Sequence, residues 1–111
     1  MIEDYSFGRI VVDGRAYTHD IIIFHDRIKE SWWRLEGHLL QLADIKEVLD
    51  TKPSILIVGT GHDAVMKVKP EVRDYCRKSG ITLIELWTGE AVKKYNELAS
   101  PGVVGLFHLT C

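Results

Sequence analysis

The residues best suited to chemistry lie together in one loop that directly follows an uninterrupted aliphatic run. The histidine of this loop could transfer a proton near neutral pH, and the adjacent aspartate could orient it. The backbone amides of its two glycines could donate hydrogen bonds to an anion. A solvated turn without a ligand is the simpler interpretation of the same residues. We therefore place a candidate cleft, weighed against that simpler alternative, at Gly59, Thr60, Gly61, His62 and Asp63.

Together with Ala64, this loop matches the G-x-G-x-x-A form of the dinucleotide-binding fingerprint. That fingerprint requires a helix to begin within the glycines, so that its amides meet the pyrophosphate. Here residues 65–69 read as extended or irregular, and the clearest helix start is Pro70. A Rossmann domain also needs more strands than this chain can hold. The sequence therefore disfavours dinucleotide binding, and we expect no cofactor.

Histidine spacing argues against a metal site. The sequence has no pair of histidines four residues apart on a helix and no cysteine partner at zinc spacing, although it contains His19, His25, His38, His62 and His108. Cys76 and Cys111 are too far apart in sequence for a disulfide framework, so we expect reduced thiols. We expect no metal ligands.

Composition limits the classes of partner and the cellular localisation of the protein. A net charge of -2, without a basic stripe, gives no reason to expect nucleic acid or an acidic membrane surface. The acidic start of the sequence is unlike a secretory or mitochondrial signal, and no apolar run reaches transmembrane length. We expect a cytoplasmic protein whose residues 1–111 form one domain.

Trp32-Trp33-Arg34 is the clearest candidate for contact with another protein. We expect a strand region from Ile28 to Leu35, in which one tryptophan faces the core and the other faces the surface. An exposed tryptophan beside a cationic group is typical of an interaction anchor. Such an anchor could also form a symmetric interface between two copies of the chain.

The N-terminal third reads as β structure, with Asp13-Gly14 as the turn of a hairpin that we expect to add strands to the central sheet. Three helices should follow. We expect one capped by Asp44, one beginning at Pro70 with Tyr75 on its buried face, and one capped by Thr88.

Strands and helices alternate through the C-terminal half, ending in a strand whose Gly105 suggests close approach of a neighbouring backbone. Right-handed crossovers turn this pattern into parallel strands covered by helices. The predicted fold class is α/β, a three-layer domain with a mixed, largely parallel central sheet and an added N-terminal β-hairpin region.

Several motifs in order resemble one protein family. They are Trp33-Arg34 with Gly37-His38, the stretch 43–48, the glycine loop, the stretch 91–96 and the ending 105–111. Over nearly its whole length the chain resembles the family that contains the adipogenesis-associated protein and mitochondrial complex I assembly factor 3, closest to the adipogenesis-associated branch. The resemblance implies a three-layer α/β fold and a binding or scaffolding role. It supplies no catalytic residues, and Thr60 departs from an arginine in the adipogenesis-associated protein.

The sequence therefore favours a protein-interaction or scaffolding domain over an enzyme. Its binding surface would include Trp33, Arg34, His38 and the glycine loop 59–63. The alternative is a small metabolite-binding protein or enzyme that uses the cleft at that loop. A homo-oligomer also stays open.

Overall fold

A mixed five-stranded sheet forms the centre of the computed structural model, which describes residues 1–111. The order across this sheet is β5-β4-β10-β7-β9. Its strands are β4 (Ile21–Ile23), β5 (Ile28–Lys29), β7 (Ile55–Gly59), β9 (Thr82–Leu86) and β10 (Val103–Phe107). β10, β7 and β9 run parallel to one another. β4 pairs antiparallel with β10, and β5 pairs antiparallel with β4. This confirms the predicted mixed, largely parallel sheet.

The remaining elements cover the central sheet. A second sheet consists of β1 (Ile2–Ser6), β2 (Arg9–Val12) and β3 (Arg15–Tyr17), and a two-stranded sheet pairs β6 (Leu39–Leu40) with β8 (Lys67–Val68). A 3₁₀ helix at Leu42–Ile45 leads into α1 (Lys46–Asp50). The longer helices are α2 (Pro70–Lys78) and α3 (Thr88–Leu98).

Side-chain alternation along the central strands creates two cores, one on each face of the sheet. Leu56 and Val58 point toward α1 and α2, whereas Ile57 points toward α3 and the N-terminal sheet. Each core contains more than a dozen buried residues, so all three layers are held by apolar packing. The predicted three-layer α/β class is therefore correct.

The N-terminal hairpin forms where it was expected but joins a different sheet. Asp13 and Gly14 both have positive φ, 49° and 81°, as a tight two-residue turn requires. The hairpin pairs with β1 instead of the central sheet, so the expectation that it extends that sheet was wrong. Ile10 and Val12 pack against the α3 face, which makes this small sheet part of an outer layer.

Two other local expectations fail in the first half of the chain. The strand predicted for 28–35 ends at Lys29, and Ser31 has a positive φ of 53° that breaks the extended chain. Asp44 does not begin a helix, because it lies inside the 3₁₀ turn and accepts a hydrogen bond from the amide of Gln41. Side chains in this region satisfy loop amides instead of capping a regular helix.

The second half follows the predicted pattern more closely. α2 begins at Pro70 and buries Val72 and Cys76 as expected, but Tyr75 is 40% exposed on the edge of its apolar face. Thr88 does not cap α3, because its hydroxyl donates to the carbonyl of residue 108 in the neighbouring layer.

The reason proposed for Gly105 was also wrong. A Cβ at this position would lie 2.5 Å from the Phe107 ring and 3.0 Å from the Tyr95 ring, so aromatic side chains occupy the space, not a neighbouring backbone.

Candidate functional site

A buried polar cluster lies where β4 and β10 meet at one edge of the two cores. The Nδ1 atom of His108 is 2.7 Å from Oδ2 of Asp20, and Nη2 of Arg34 donates to the same oxygen at 2.8 Å. The other oxygen of Asp20 accepts a hydrogen bond from the amide of Leu109 at 2.8 Å. The side chains of Arg34 and His108 are only 4% and 6% exposed. Three ionisable groups are thus held together almost out of contact with solvent.

Strand register brings the cluster together. Phe107 pairs with Ile21 in the antiparallel ladder between β10 and β4. The next position outward on each strand is occupied by His108 and Asp20, so the ladder places them beside each other. Arg34 comes from the loop 31–38, which we call the Trp33 loop.

Asp20 is ionised despite its burial. Desolvation opposes its charge, but hydrogen bonds from His108, the Leu109 amide and Arg34 outweigh that effect, so the pKa of Asp20 is lowered. A carboxylate at 2.7 Å requires the hydrogen of His108 on Nδ1, which leaves Nε2 as the free nitrogen of the ring. The guanidinium and the carboxylate balance each other's charge.

Arg34 is fixed from several sides. Its guanidinium lies 4.6 Å over the Trp32 ring, and its Nε and Nη2 donate to the carbonyl of Gly37 at 3.1 and 2.7 Å. Two buried nitrogens nevertheless have no hydrogen-bond partner in the protein, namely Nη1 of Arg34 and Nε2 of His108. Such groups are rare in protein interiors because each costs about 1–3 kcal/mol when left unpaired.

His38 covers this cluster from the outside. Its ring lies against the His108 ring with centroids 5.6 Å apart and planes inclined by 69°. The residue itself is exposed, and its side chain makes no hydrogen bond within the protein. Its backbone is anchored, because its carbonyl accepts the amide of Lys67 at 2.8 Å.

The segment 108–111 lies over the glycine loop. Amides of His62 and Val65 donate to the carbonyls of Thr110 and Cys111, and the amide of His108 donates to Gly59. This segment runs across the C-terminal ends of the parallel strands, where open α/β sheets commonly bind ligands. The chain itself therefore occupies that edge of the sheet.

Polar groups of the glycine loop are hydrogen-bonded to other residues of the protein. The Thr60 hydroxyl donates to the carbonyl of Leu86 at 3.1 Å, and the Gly61 amide donates to the Thr88 hydroxyl at 2.8 Å. Gly61 has a φ of 116°, and a Cβ there would collide with the backbone of Cys111. The glycine is required for the close approach of the two segments.

His62 and Asp63 lie on the outer side of the glycine loop. They are exposed and contact each other at 3.3 Å, between Nδ1 and Oδ1. The His62 ring also meets Phe7, with centroids 5.6 Å apart. This pair faces solvent and does not reach the buried cluster.

The structure therefore separates the residues selected from the sequence. Arg34 and His38 meet at His108, whereas Trp33 points outward and contacts His19 with ring centroids 5.9 Å apart. The segment 108–111 and the Thr88 hydroxyl connect the cluster to the glycine loop.

Sequence reasoning missed Asp20, Thr88 and His108 as members of a polar network. The available signal was a polar residue at the end of each of two apolar runs, before Ile21 and after Phe107. That signal becomes informative only when the two strands are known to be neighbours.

Tyr5 extends the network toward the N-terminal sheet. Its hydroxyl donates to the carbonyl of Leu109 at 2.9 Å. Burial, followed by the charges of Asp63 and Asp20, raises the pKa of Tyr5 to about 12. The residue therefore keeps its proton and acts as a donor.

The largest cleft is elsewhere. It has a volume of about 690 Å³ and lies between the N-terminal sheet, β5 and the end of α3, with Tyr17, Ile28 and Tyr95 among its walls. Charged side chains at its rim are already paired, as in the contact of 3.0 Å between Arg15 and Glu30. We assign it no ligand.

Two further observations concern metals and membranes. No three of the His, Cys, Asp and Glu side chains are grouped closely enough to hold a metal ion. None of the helices combines the length and the apolar character needed to cross a membrane.

Comparison with solved structures defines the class of protein. The fold matches the conserved hypothetical protein PH1505 from Pyrococcus horikoshii OT3 with a TM-score of 0.87, 28% identity, and coverage of 100% of this chain and 99% of that chain. It also matches the protein MT938, with a TM-score of 0.77, 27% identity, and coverage of 100% and 98%. A protein from Bordetella pertussis that is described as a Mth938-like domain shares the fold at a TM-score of 0.60 and 18% identity, over 97% and 84% of the two chains. The chain therefore has the α/β fold that these three structures share.

The family follows from the sequence match. Residues 2–108 match the family described as "Protein of unknown function (DUF498/DUF598)", and the chain belongs to that family. At the level of the family this agrees with the resemblance found in the sequence.

Proposed function

We propose that this protein is a protein-interaction domain, and that its contact surface is centred on Trp33 and Leu35 of the Trp33 loop. The role is one of binding and scaffolding and not of catalysis. The adipogenesis-associated branch of the family is the group in which we place the chain. Two free thiols, Cys76 and Cys111, support a reducing compartment and hence a cytoplasmic role.

One observation carries the proposal. The side chains of Trp33 and Leu35 are 76% and 74% exposed, although both are large and apolar. Trp32 and Arg34, which alternate with them, point inward. The loop thus presents two neighbouring apolar groups to solvent, which is the arrangement expected of an interaction anchor and not of a solvated turn.

Hydrogen bonds to Asp20 and Asp44 hold the Trp33 loop in place. The amide of Trp32 donates to the carbonyl of Asp20 at 2.8 Å, and its indole Nε1 donates to the carbonyl of Asp44 at 3.1 Å. Asp44 also accepts the amide of Leu35 at 3.0 Å. A surface that is already ordered loses little conformational entropy when a partner binds.

A protein partner fits this surface better than a small molecule does. Trp33 and Leu35 project outward and do not line a cavity, so their apolar area can be buried only by a broad complementary surface. Around this anchor we include Arg34 and His38 as the support of the loop. Within the glycine loop, His62 and Asp63 are the members available to a partner.

The proposal is tested by quantitative capture from a lysate of the source cells. We compare the unaltered chain with the double variant Trp33→Ser/Leu35→Ser. The matched control is Trp87→Ser, since Trp87 is a tryptophan that is 47% exposed and lies before α3, away from the Trp33 loop.

We expect a defined set of proteins to be retained by the unaltered chain and the control, and lost by the double variant. The free energy of unfolding should change by less than about 0.5 kcal/mol in the double variant, because the removed groups are exposed. Equal capture by the double variant and the control would contradict the proposal.

A further inference from the structure

The central sheet has one long edge along which no other strand of the chain lies. β9 is the last strand in the order β5-β4-β10-β7-β9, and it pairs only with β7. Leu83 packs against the core beneath α1 and α2, and Ile84 packs against the core beneath α3. The outer layers therefore cover the two faces of β9 and leave its outer edge open. Each residue from 83 to 86 is partly exposed, whereas residues 56–59 of β7 are buried.

Hydrogen bonds to the β7 side show which backbone groups of β9 point outward. The amide of Thr82 and the carbonyl of Leu86 form hydrogen bonds on the β7 side, at 2.9 and 2.8 Å. Successive residues of a strand direct their N–H and C=O groups to opposite sides, so Ile84 also faces β7. The N–H and C=O groups of Leu83 and Glu85 consequently point away from the sheet. They form the kind of unpaired row that accepts a further strand.

The opposite edge of the sheet is protected in ways that β9 is not. β5 is only two residues long, and the charged Arg27 and Lys29 at this edge pair with Glu47 at 3.2 and 3.1 Å. Short strands and charged side chains are common means of blocking edge pairing. β9 is five residues long and contains neither proline nor lysine. Its one charged side chain, Glu85, accepts two hydrogen bonds from Arg73 at 2.7 and 2.8 Å.

We propose that the chain forms a symmetric dimer in which β9 pairs antiparallel with β9 of a second copy, with Ile84 at the two-fold axis. An axis perpendicular to the sheet makes the two strands antiparallel. This register places Leu83 opposite Glu85 of the partner subunit, and Glu85 opposite Leu83 of the partner subunit. The outward N–H and C=O groups of both pairs then bond to each other. The two Ile84 residues face each other as a pair without hydrogen bonds.

The edge is complementary to itself, which favours a second copy as its partner. Ile84 is β-branched and apolar, and apolar pairs across antiparallel strands stabilise a sheet. Glu85 brings no unpaired charge to the interface, because Arg73 of the same copy holds its carboxylate. Its symmetry mate lies diagonally and not directly opposite. Pairing stops at two copies, since the remaining edge of each sheet is the short, charged β5.

The proposed interface does not include the Trp33 loop. It uses backbone groups of one edge strand, whereas the protein interaction proposed above uses exposed apolar side chains of a loop. The two proposals can therefore fail separately. The double variant Trp33→Ser/Leu35→Ser should dimerise like the unaltered chain.

Cysteine cross-linking tests the register. In a Cys111→Ser background, Ile84→Cys places the two symmetry-related Cα atoms about 4.5 Å apart, within the range of a disulfide. Thr82→Cys is the matched control, because it lies on the same face of the same strand and is more exposed. Its two symmetry-related Cα atoms are more than about 13 Å apart, which is too far for a disulfide.

With oxidised glutathione as the oxidant, we expect Ile84→Cys to form the cross-linked dimer at least about tenfold faster than Thr82→Cys. Equal rates of cross-linking in the two variants would overturn the proposed register.

Amide hydrogen exchange of the unaltered chain keeps the test decisive even if the variants fail to fold. When the protein concentration is raised about a hundredfold, mass action should favour the dimer. We expect exchange of the Leu83 and Glu85 amides to slow at least about fivefold, while the Ile84 amide, already bonded to β7, stays unchanged. Sedimentation velocity at the higher concentration should show the dimer.

Two results would overturn the proposal. One is a monomer at the higher concentration, with Leu83 and Glu85 amides that exchange at the same rate throughout. The other is a dimer that is lost in Trp33→Ser/Leu35→Ser while these two amides remain unprotected in the unaltered chain, because that result would place the contact at the Trp33 loop.

Discussion

Asp20 connects two segments that are far apart in sequence. Its two oxygens accept hydrogen bonds from Arg34, His108 and the amide of Leu109. It therefore ties the Trp33 loop to the segment 108–111 through charge-assisted hydrogen bonds, which are stronger than neutral ones. A substitution of Asp20 should therefore weaken the packing of both segments.

Replacing Asp20 with Asn should lower the free energy of unfolding by about 1–3 kcal/mol at neutral pH, because buried donors lose an ionised acceptor. The lowered pKa of Asp20 also fixes the sign of the pH dependence. Its contribution is complete above the unfolded-state pKa of about 4 and is lost as the pH falls through the folded-state value.

Urea unfolding at about pH 7 and about pH 3 checks this expectation. The difference between the unaltered chain and Asp20→Asn should be large at the higher pH and shrink at the lower one. Asp26→Asn, which changes an exposed carboxylate, is the control. A difference that stays constant between the two pH values would contradict the role given to Asp20.

The two thiols should differ in reactivity. Cys76 is 1% exposed, and burial followed by the charge of Glu85 raises its pKa. We expect a thiol-specific reagent at about pH 8 to modify Cys111 at least about tenfold faster than Cys76 in the folded chain. Mass spectrometry of the two tryptic peptides over time measures this, and equal rates would show that α2 opens readily.

Loops determine the site more than regular elements do. The Trp33 loop supplies Arg34 and the two exposed apolar side chains of Trp33 and Leu35, while the glycine loop and the segment 108–111 cover the edge of the sheet. Each of these segments is held by backbone hydrogen bonds to another part of the chain, so each is fixed on the scaffold of regular elements.

Gly61→Ala should destabilise the chain by about 2–3 kcal/mol or more, because the residue has positive φ and its Cβ would meet the backbone of Cys111. Gly37→Ala is the matched control, since a Cβ there has nothing within 4 Å. Chemical denaturation of both variants makes the comparison. Similar unfolding free energies for the two would contradict the close packing of the segment 108–111 on the loop.

The regular elements were largely predictable because they follow local patterns. Pro70 begins α2, Asp13-Gly14 forms the hairpin turn, and the apolar runs at 55–58 and 103–107 lie in central strands. Such elements depend on residue periodicity and turn chemistry, which the sequence displays directly.

The failures share a physical cause. Thr88 and Asp44 carry hydrogen-bonding side chains that suit a helix cap. In the folded chain they instead hydrogen-bond to residues distant in sequence, the His108 carbonyl and the Leu35 amide. That one of these two tryptophans, Trp32 and Trp33, is buried and the other exposed was predicted correctly, although from a strand that ends earlier. Asp20 and His108 could not be paired from the sequence, because their contact depends on which strands are neighbours.

At the scale of the whole molecule, the central sheet joins two cores that share the same strands. Ile22 lies in the core beneath α1 and α2, and the next residue, Ile23, lies in the core beneath α3. Neither core can lose its packing without exposing the opposite face of the same strand. The layers should therefore unfold together.

Leu56→Ala should lower the free energy of unfolding by about 2–5 kcal/mol, since the side chain is fully buried. The transition should still be common to both cores, with the methyl resonances of Ile22 and Ile23 lost at the same urea concentration. Earlier loss of the Ile22 signal alone would show that the layers are independent.

The interaction role is tested most directly by site-specific photocrosslinking in the source cells. A benzophenone amino acid is introduced in place of Trp33 and, as control, in place of Tyr75, which is exposed on α2. We predict that position 33 gives a discrete adduct, to another protein or to a second copy of this chain, and that position 75 does not. No adduct from position 33, or the same adducts from both positions, would contradict a contact surface centred on the Trp33 loop.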